Sequence, residues 1–562
     1  MLPLVVVGGR GVVGPRAPGE PCVAGDLPEV LERARALETS QHPRWLVPAA
    51  ASSLTPLVTA GIRVQRCWDV AEVHRLIHGG WAADLHLAWA SAYGLDPAGA
   101  PQPARDDLFD LLVDAGPVEL ATGHRSDPDA AVRPDGYLRP DVLDPAWAAT
   151  PERLRSLAEA LLRLAARQAD QLAAIGPRSL AAAYSESAAA ALCVELEHDG
   201  LPVDRVVAER QISAAAGPRP RDEAEAAATR RARDAVVLAH APGRERTDLR
   251  NPLQVRDLLA AVGVTVPSTR KGYLEPYRSS TPLVAALLAW RKDERVATTY
   301  GYRWLDEHVG PDDRLRGCWS ACDGAAGRMT AQNGLHNLPA PLRPAVAADP
   351  GWVFVRADLG QIEPRVLAVV SGDRVLAEAT TSDDLYAPVA ARLGVERPVA
   401  KVAVLAAMYG QRSGAAGRAL DGLERAYPVA MRLLDDAYAS GAARQPLRTY
   451  GGRRINLDAM AAGGDDGARG RFARNAIIQG SAAELFKAWA ATVRHAVGPL
   501  GAQIVLCLHD ELLVHAPRDR AEEVAAAMGR TLDDSARRWC GTDRVRFVAD
   551  TSVIARWSDA KA

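Results

Sequence analysis

The 562-residue chain holds 48% hydrophobic and 24% charged residues, an ordinary globular mixture that excludes a collagen-like, wholly disordered or membrane-embedded protein; its length asks for two to four domains at roughly 100–200 residues each. A net charge of −2 argues against a protein that coats nucleic acid through bulk charge and leaves room for a local basic groove. No apolar run approaches the ~18 residues that span a bilayer, the N-terminus lacks the basic region of a secretory signal, and seven cysteines without a CxxC pair fit a reducing cytoplasm rather than a disulfide framework.

Residues 1 to about 110 alternate short β-rich runs (LPLVVVGG, RWLVPAA, GIRVQRCW) with helical stretches such as DLPEVLERARALE, an α/β pattern. A Pro/Gly/Asp-rich passage over 124–145 reads as a loop or linker. Helix is predicted from Pro151 to about His240, where GPRPRDEAEAAATRRARDA carries dense charge of both signs and suits a solvated helix. Cys318 and Cys322, four apart with no second Cys or His pair nearby, read as ordinary thiols. Two strongly apolar, β-prone segments follow, at 352–373 and 502–517, with helical stretches between them near 384–439 and 471–497.

Both β-prone segments carry acids where apolar patterning would have none. His509-Asp510-Glu511 interrupts IVLCL and LLVHA, as a β-hairpin with a charged tip or as a buried strand carrying acids; Asp358 ends the run VFVRAD before Leu359-Gly360. An unpaired buried carboxylate is costly, and a cation is the natural remedy. Acids at the ends of two strands distant in sequence are what two Mg²⁺ ions about 4 Å apart require for phosphoryl transfer.

Between them, Arg397, Lys401 and Tyr409 share a broad helix face, able to present two cations to a triphosphate and a ring to its base. Only five of the 67 basic residues are lysine, so Lys401 suits a role needing a compact ammonium, such as a point contact to phosphate. Arg471, Asn475 and Gln479 repeat the four-residue spacing, a row of donors suited to the minor-groove acceptors that every base pair offers.

In this order the segments resemble the family A DNA polymerases. Residues 358–365 (DLGQIEPR) are similar to the family's first catalytic motif, Asp-Tyr-Ser-Gln-Ile-Glu-Leu-Arg; residues 397–410 to its fingers helix; and His509-Asp510-Glu511 to the core of its last catalytic motif. Gly327-Arg328-Met329-Thr330 with His336-Asn337-Leu338-Pro339, residues 449–454 (TYGGRR) and the Arg471/Asn475/Gln479 row match three further motifs, so that the likeness covers 186–562. The resemblance implies a multidomain α/β and α+β chain: a right-hand polymerase with thumb at about 200–315, palm at about 316–376 and 440–562 and fingers at about 377–439, preceded by a ribonuclease H-like, exonuclease-type domain over 1–185.

Carried over residue by residue, it implies that Asp358 and Asp510 hold two Mg²⁺ ions with Glu511 near the primer end. Arg397 and Lys401 grip the triphosphate, Lys401 also serving catalysis, and Tyr409 closes over the templating pair. Glu363 lies against the sugar 2′ position, and Arg328, Asn337, Arg471, Asn475, Gln479 and His509 contact DNA. The implied activity is addition of dNTPs to the primer 3′-OH of primer–template DNA, in repair or gap filling, by a monomeric, nucleoid-associated protein relying on a separate 5′ nuclease and ligase.

Departures qualify the likeness. Leu405 replaces the usual aromatic that packs on the incoming nucleotide, and Tyr386 stands where a phosphate-contacting His is common; weaker nucleotide binding is expected. The first strand, LPLVVV, lacks the Asp-x-Glu of a proofreading exonuclease, and Asp69, Asp84 and Asp170 read as surface or capping acids. A fold without proofreading is therefore expected, with a catalytically weak DNA-binding protein and a bifunctional 3′–5′ exonuclease/polymerase as the alternatives.

Overall fold

The first strands form because Leu2–Val7 is an almost unbroken run of apolar, largely β-branched residues, of the kind that fills a strand covered on both faces. The computed structural model describes residues 1–17, 19–99, 127–332, 334–410, 415–457 and 465–560. Strands β1 (Leu2–Val7), β2 (Arg10–Val13), β3 (Val23–Asp26), β4 (Arg44–Val47) and β5 (Arg66–Asp69) make a sheet of order β3-β2-β1-β4-β5. The first three pair antiparallel, and β1, β4 and β5 are parallel. Gly8 and Gly9, at φ +54° and +81°, supply the left-handed pair that closes the β1–β2 hairpin in two residues.

This sheet belongs to a compact unit comprising Met1–Asp199, Cys318–Ala331 and Val355–Val553. The helix Pro151–Ile175 opens on the Thr150 cap with proline in its first turn, and buries Leu154, Leu157, Leu161 and Leu164 in one core with Leu46 and Trp68. The expected loop at 127–145 is a series of turns with one bridge, Val132 to Leu138; residues 124–126 of that passage and 100–110 of the α/β region lie outside the described residues. The alanine-rich helix Ser179–Asp199 carries a wholly buried acid, Glu186, which pairs at 2.5 Å with both Lys487 and Arg453. Its carboxyl is held below the ordinary range by those two cations, against the opposing effect of burial.

Two short pairs follow, β6 (Leu201–Pro202) with β7 (Arg314–Leu315) and β8 (Trp319–Ser320) with β9 (Thr330–Ala331). A second sheet, of order β11-β12-β10-β13, is made of β10 (Trp352–Leu359), β11 (Gln503–Leu508), β12 (Glu511–Pro517) and β13 (Ala549–Ile554). One expectation is corrected here. The β-prone segment 352–373 is a strand only to Leu359, and its second half is the helix Ile362–Ser371, entered through Gln361 at φ +52° with Pro364 in the first turn.

The second compact unit comprises Gly200–Gly317, Gln332–Phe354 and Ile554–Ala562. It is mainly helical and has its own core, including Leu238, Leu258, Leu259, Leu287 and Trp290. Its Glu223–Leu238 helix buries only Val237 and Leu238, as its charge pattern predicts. No helix among the described residues is long and apolar enough to cross a membrane.

Candidate active site

Strand β10 reaches the site because Val353, Phe354, Val355 and Ala357 are all at most 3% exposed, anchoring the strand in the sheet core up to Asp358. Of the two readings of His509-Asp510-Glu511, the hairpin holds: Leu508 pairs with Glu511, and His509-Asp510 is the turn, with His509 in the left-handed region at φ +53°. The end of β10 is fastened to that turn by Leu359 N–H donating to the Asp510 carbonyl at 3.0 Å. Gly360 N–H then donates to Val548 O at 2.9 Å, and a Cβ on Gly360 would stand 2.9 Å from the Val548 side chain, so this close approach suits glycine.

The cation that the sequence calls for beside these acids is partly supplied by the protein. Arg356 donates to Asp358 Oδ2 at 2.7 Å and to Glu511 Oε2 at 2.8 Å, and lies 3.8 Å from Asp550. Burial still raises the Asp358 carboxyl above its ordinary range, with Glu511 and Asp550 adding to the rise and Arg356 opposing it. Asp510 is pushed up to about 7, by burial first and then by the Glu363 and Asp358 charges, against Arg328. Its carboxylate accepts no hydrogen bond from the described residues. Asp358 and Asp510 are hard oxygen donors that oppose each other's ionisation, which suits a divalent cation; among the described residues no group of three or more His, Cys, Asp or Glu forms a ready metal cage.

A second cluster joins motifs far apart in sequence. Arg328 donates to Glu363 Oε1 at 2.8 Å, and Gln479, with its amide oxygen turned to the guanidinium, accepts from both terminal nitrogens of Arg328 at 2.8 and 3.0 Å. Burial raises the Glu363 carboxyl, opposed by Arg328. The Tyr409 phenol is raised by burial, with Glu363 and Asp510 adding to the shift and Arg328 opposing it, so the four groups share one electrostatic environment.

The helix Arg397–Tyr409 buries Ala400, Ala403, Val404, Ala407 and Met408 and ends on Gly410 in the left-handed region. Its opposite face carries exposed Arg397 and Lys401, half-buried Leu405 and Tyr409 at 40% exposure. Arg397 donates to Asp384 at 2.5 Å and lies 5.8 Å from the Tyr386 ring centre; burial pushes the Tyr386 phenol up to about 12. On the helix Asp466–Val497, Arg471 is exposed and Asn475 and Gln479 are half-buried amid a largely buried sequence, so the predicted row is one open face. Asn337 is exposed in the other compact unit, its carbonyl accepting from Arg295 at 3.0 Å and Tyr300 at 2.8 Å.

Two arginines escape the sequence reading. Arg356 had a signal: it stands two residues before Asp358 and so on the same strand face. Arg365 is wholly buried and donates to five carbonyls, those of Gly360, Thr380, Ser382, Asp383 and Arg546, at 2.6–3.0 Å. Burial lowers its guanidinium to about 10, with Arg546 adding to the fall. It clasps the end of β10 to the loop leading to Asp384, where Gln361 also accepts from Leu385 N–H at 2.8 Å.

The N-terminal acids are otherwise employed. Asp69 is buried, not a surface acid, and caps the helix Val70–His78; Asp84 caps Leu85–Tyr93; Asp170 is exposed on its helix.

The family model for DNA polymerase family A matches residues 239–559. DNA polymerase I of Chloroflexus aurantiacus is 34% identical over 284 residues, 45% of this chain and 30% of that protein. The thermostable DNA polymerase I of Thermus thermophilus is 32% identical over 305 residues, 48% of this chain and 36% of that protein. The chain thus spans about a third of the length of these relatives. The POL domain of Pol1 from M. smegmatis, solved in complex with DNA primer-template and dNTP, has the same fold, with a TM-score of 0.68 at 20% identity over 100% of this chain and 95% of that one. The matched residues cover more than half of the chain and take in the strand end, the hairpin tip and both helical rows, and the chain belongs to DNA polymerase family A.

Proposed function

We propose that this chain catalyses DNA-directed DNA synthesis, adding dNTPs to a primer 3′-OH with release of pyrophosphate. The observation that carries this reading is the pairing of Asp358 with Asp510, tied together through the main chain, with the Asp510 carboxylate raised to about 7 and unengaged by the described side chains. Asp358 and Asp510 would hold two Mg²⁺ ions, which when bound activate the attacking hydroxyl and neutralise charge on the leaving phosphates. Arg356 holds Asp358 and Glu511 in place and limits the local negative charge before substrate arrives.

The other residues bind and orient. Arg397 leaves Asp384 to take a triphosphate oxygen, Lys401 adds a point charge one turn on, and Tyr409 covers the nascent pair. Glu363, held by Arg328, faces the sugar 2′ position and disfavours a hydroxyl there. Arg471, Asn475, Gln479, Arg328, His509 and Asn337 contact primer–template DNA. The right-hand division into thumb, palm and fingers, the exonuclease-like domain over 1–185 without proofreading, and a role in repair or gap filling beside a separate 5′ nuclease and ligase belong to the same reading. Its support in the N-terminal region is that Asp69 and Asp84 are occupied as helix caps.

The test is primer extension by wild type and Asp358→Asn, with dNTPs or rNTPs and a labelled single strand alongside. Extension with dNTPs alone, lost in the variant, and an intact single strand are expected. Extension that survives the substitution would sink the mechanism, and digestion of the strand would restore proofreading.

A further inference from the structure

A cavity of about 840 Å³ opens where Arg44 and Arg66 begin β4 and β5, and the helices Ser179–Asp199, Asp466–Val497 and Ala521–Cys540 complete its wall. Its size falls in the range of small-molecule sites. None of the residues given roles above in polymerisation lines it.

The lining has two characters. Ala181, Ala188, Ala488 and Ala491 leave an apolar slot beside the rings of Tyr184 and Trp539. Around it stand four arginines, Arg44, Arg66, Arg178 and Arg538, none ion-paired among the described residues. Arg356, Arg453 and Arg494 of the same compact unit, by contrast, each meet a carboxylate. The acids that share the cavity are engaged: Asp534 with Arg537 at 3.2 Å, and Glu484 with the Thr449 hydroxyl and with Gly451 N–H at 2.7 Å.

The rings are already set for cation stacking. The Arg44 guanidinium lies 3.7 Å from the Tyr184 ring centre; Arg178 lies 4.0 Å from that of Tyr450, which packs 4.8 Å from Trp539. The Trp539 indole N–H is buried without an acceptor in the described residues, a donor that a ligand oxygen or ring nitrogen would satisfy. Arg44 and Arg66 donate to the Cys67 and His42 carbonyls, but no carboxylate neutralises the four guanidinium groups among the described residues, which calls for an anion; the apolar slot with its rings calls for a flat aromatic group, and the volume calls for a small ligand.

We propose that this cavity binds a free mononucleotide, its phosphate drawn to Arg178 and Arg538 and its base to the Tyr184–Trp539 wall. The proposal is independent of the chemistry at Asp358 and Asp510.

The test is calorimetric titration of the full chain with adenosine 5′-monophosphate in the presence of EDTA, followed in parallel by tryptophan fluorescence. Inorganic phosphate, a short oligothymidylate and an aspartate-rich peptide serve as comparators. One equivalent is expected to bind, at least about tenfold more tightly than phosphate, and Arg178→Ser/Arg538→Ser is expected to weaken it by about tenfold or more while primer extension is unchanged. Trp539→Phe removes the fluorescence change. Absence of binding, binding indifferent to the double variant, or phosphate held as tightly as the nucleotide would overturn the proposal. Tighter binding of the oligothymidylate or the peptide through the same arginines would reassign the cavity to a strand or to a protein partner, and so overturn it as well.

Discussion

Asp69 at the end of β5 and Asp510 at the hairpin tip are both raised to about 7, chiefly by burial. Yet the two carboxylates do opposite work. Asp69 accepts from Ala50 N–H at 2.7 Å and from Glu72 N–H at 2.9 Å, so each of its oxygens is committed to the backbone. Asp510 has no such donors among the described residues and faces two further acids. A shifted acidity therefore does not by itself mark a functional group; what distinguishes the two sites is whether the lone pairs are already in use.

The largest effect that would break this contrast is at the strand end. Asp358→Asn is expected to slow single-nucleotide incorporation by about a thousandfold or more, the several kcal/mol that a lost metal ligand removes. Asp84→Asn, at the cap of the helix Leu85–Tyr93, should leave the rate within about twofold and lower stability by about 1 kcal/mol or less. Rapid-quench kinetics and chemical denaturation check the pair.

Arg365→Met comes next. It orphans five carbonyls and should cost about 3 kcal/mol in denaturant unfolding, with a raised nucleotide KM as the loop holding Asp384 loosens. A variant as stable as wild type would contradict the clasp.

The pH dependence is smaller. Because the folded-state pKa of Asp510 is raised above its ordinary value, its contribution to stability is fully present below about pH 4 and is lost as pH rises through about 7. In metal-free buffer, Asp510→Asn should therefore gain a few degrees of Tm relative to wild type between about pH 5 and about pH 8, with Mg²⁺ narrowing the gap by favouring the ionised wild-type carboxylate. A gap that stays constant across this range would show that the carboxylate is not held neutral.

The smallest effect belongs to Leu405, half-buried on the open face of its helix. Leu405→Phe should lower the nucleotide KM by a few-fold and change dideoxynucleotide discrimination, both read in steady-state incorporation.

Much of the site is legible because its chemistry is local. Acids that interrupt apolar runs mark Asp358 and the hairpin, and four-residue spacing marks the Arg397 and Arg471 faces. The helix Ile362–Ser371 is harder: VLAVV is apolar in either conformation, and only the Pro364 in its first turn hints at a helix start. The clasp of Arg365 is completed by the Arg546 carbonyl and the Arg328–Glu363 pair by Gln479, each more than a hundred residues further along the chain, so no window of sequence contains either assembly. Asp69 shows the converse difficulty, since a capping acid and a catalytic acid look alike until their hydrogen-bond donors are known.

The most direct measurement is single-nucleotide incorporation by Asp510→Asn and Asp69→Asn side by side, at matched folded concentration on one primer–template. Loss of about a thousandfold in the first and near wild-type rate in the second is the predicted result. Comparable rates in the two variants would contradict the account, because the unengaged carboxylate would then contribute no more to the chemistry than the capped one.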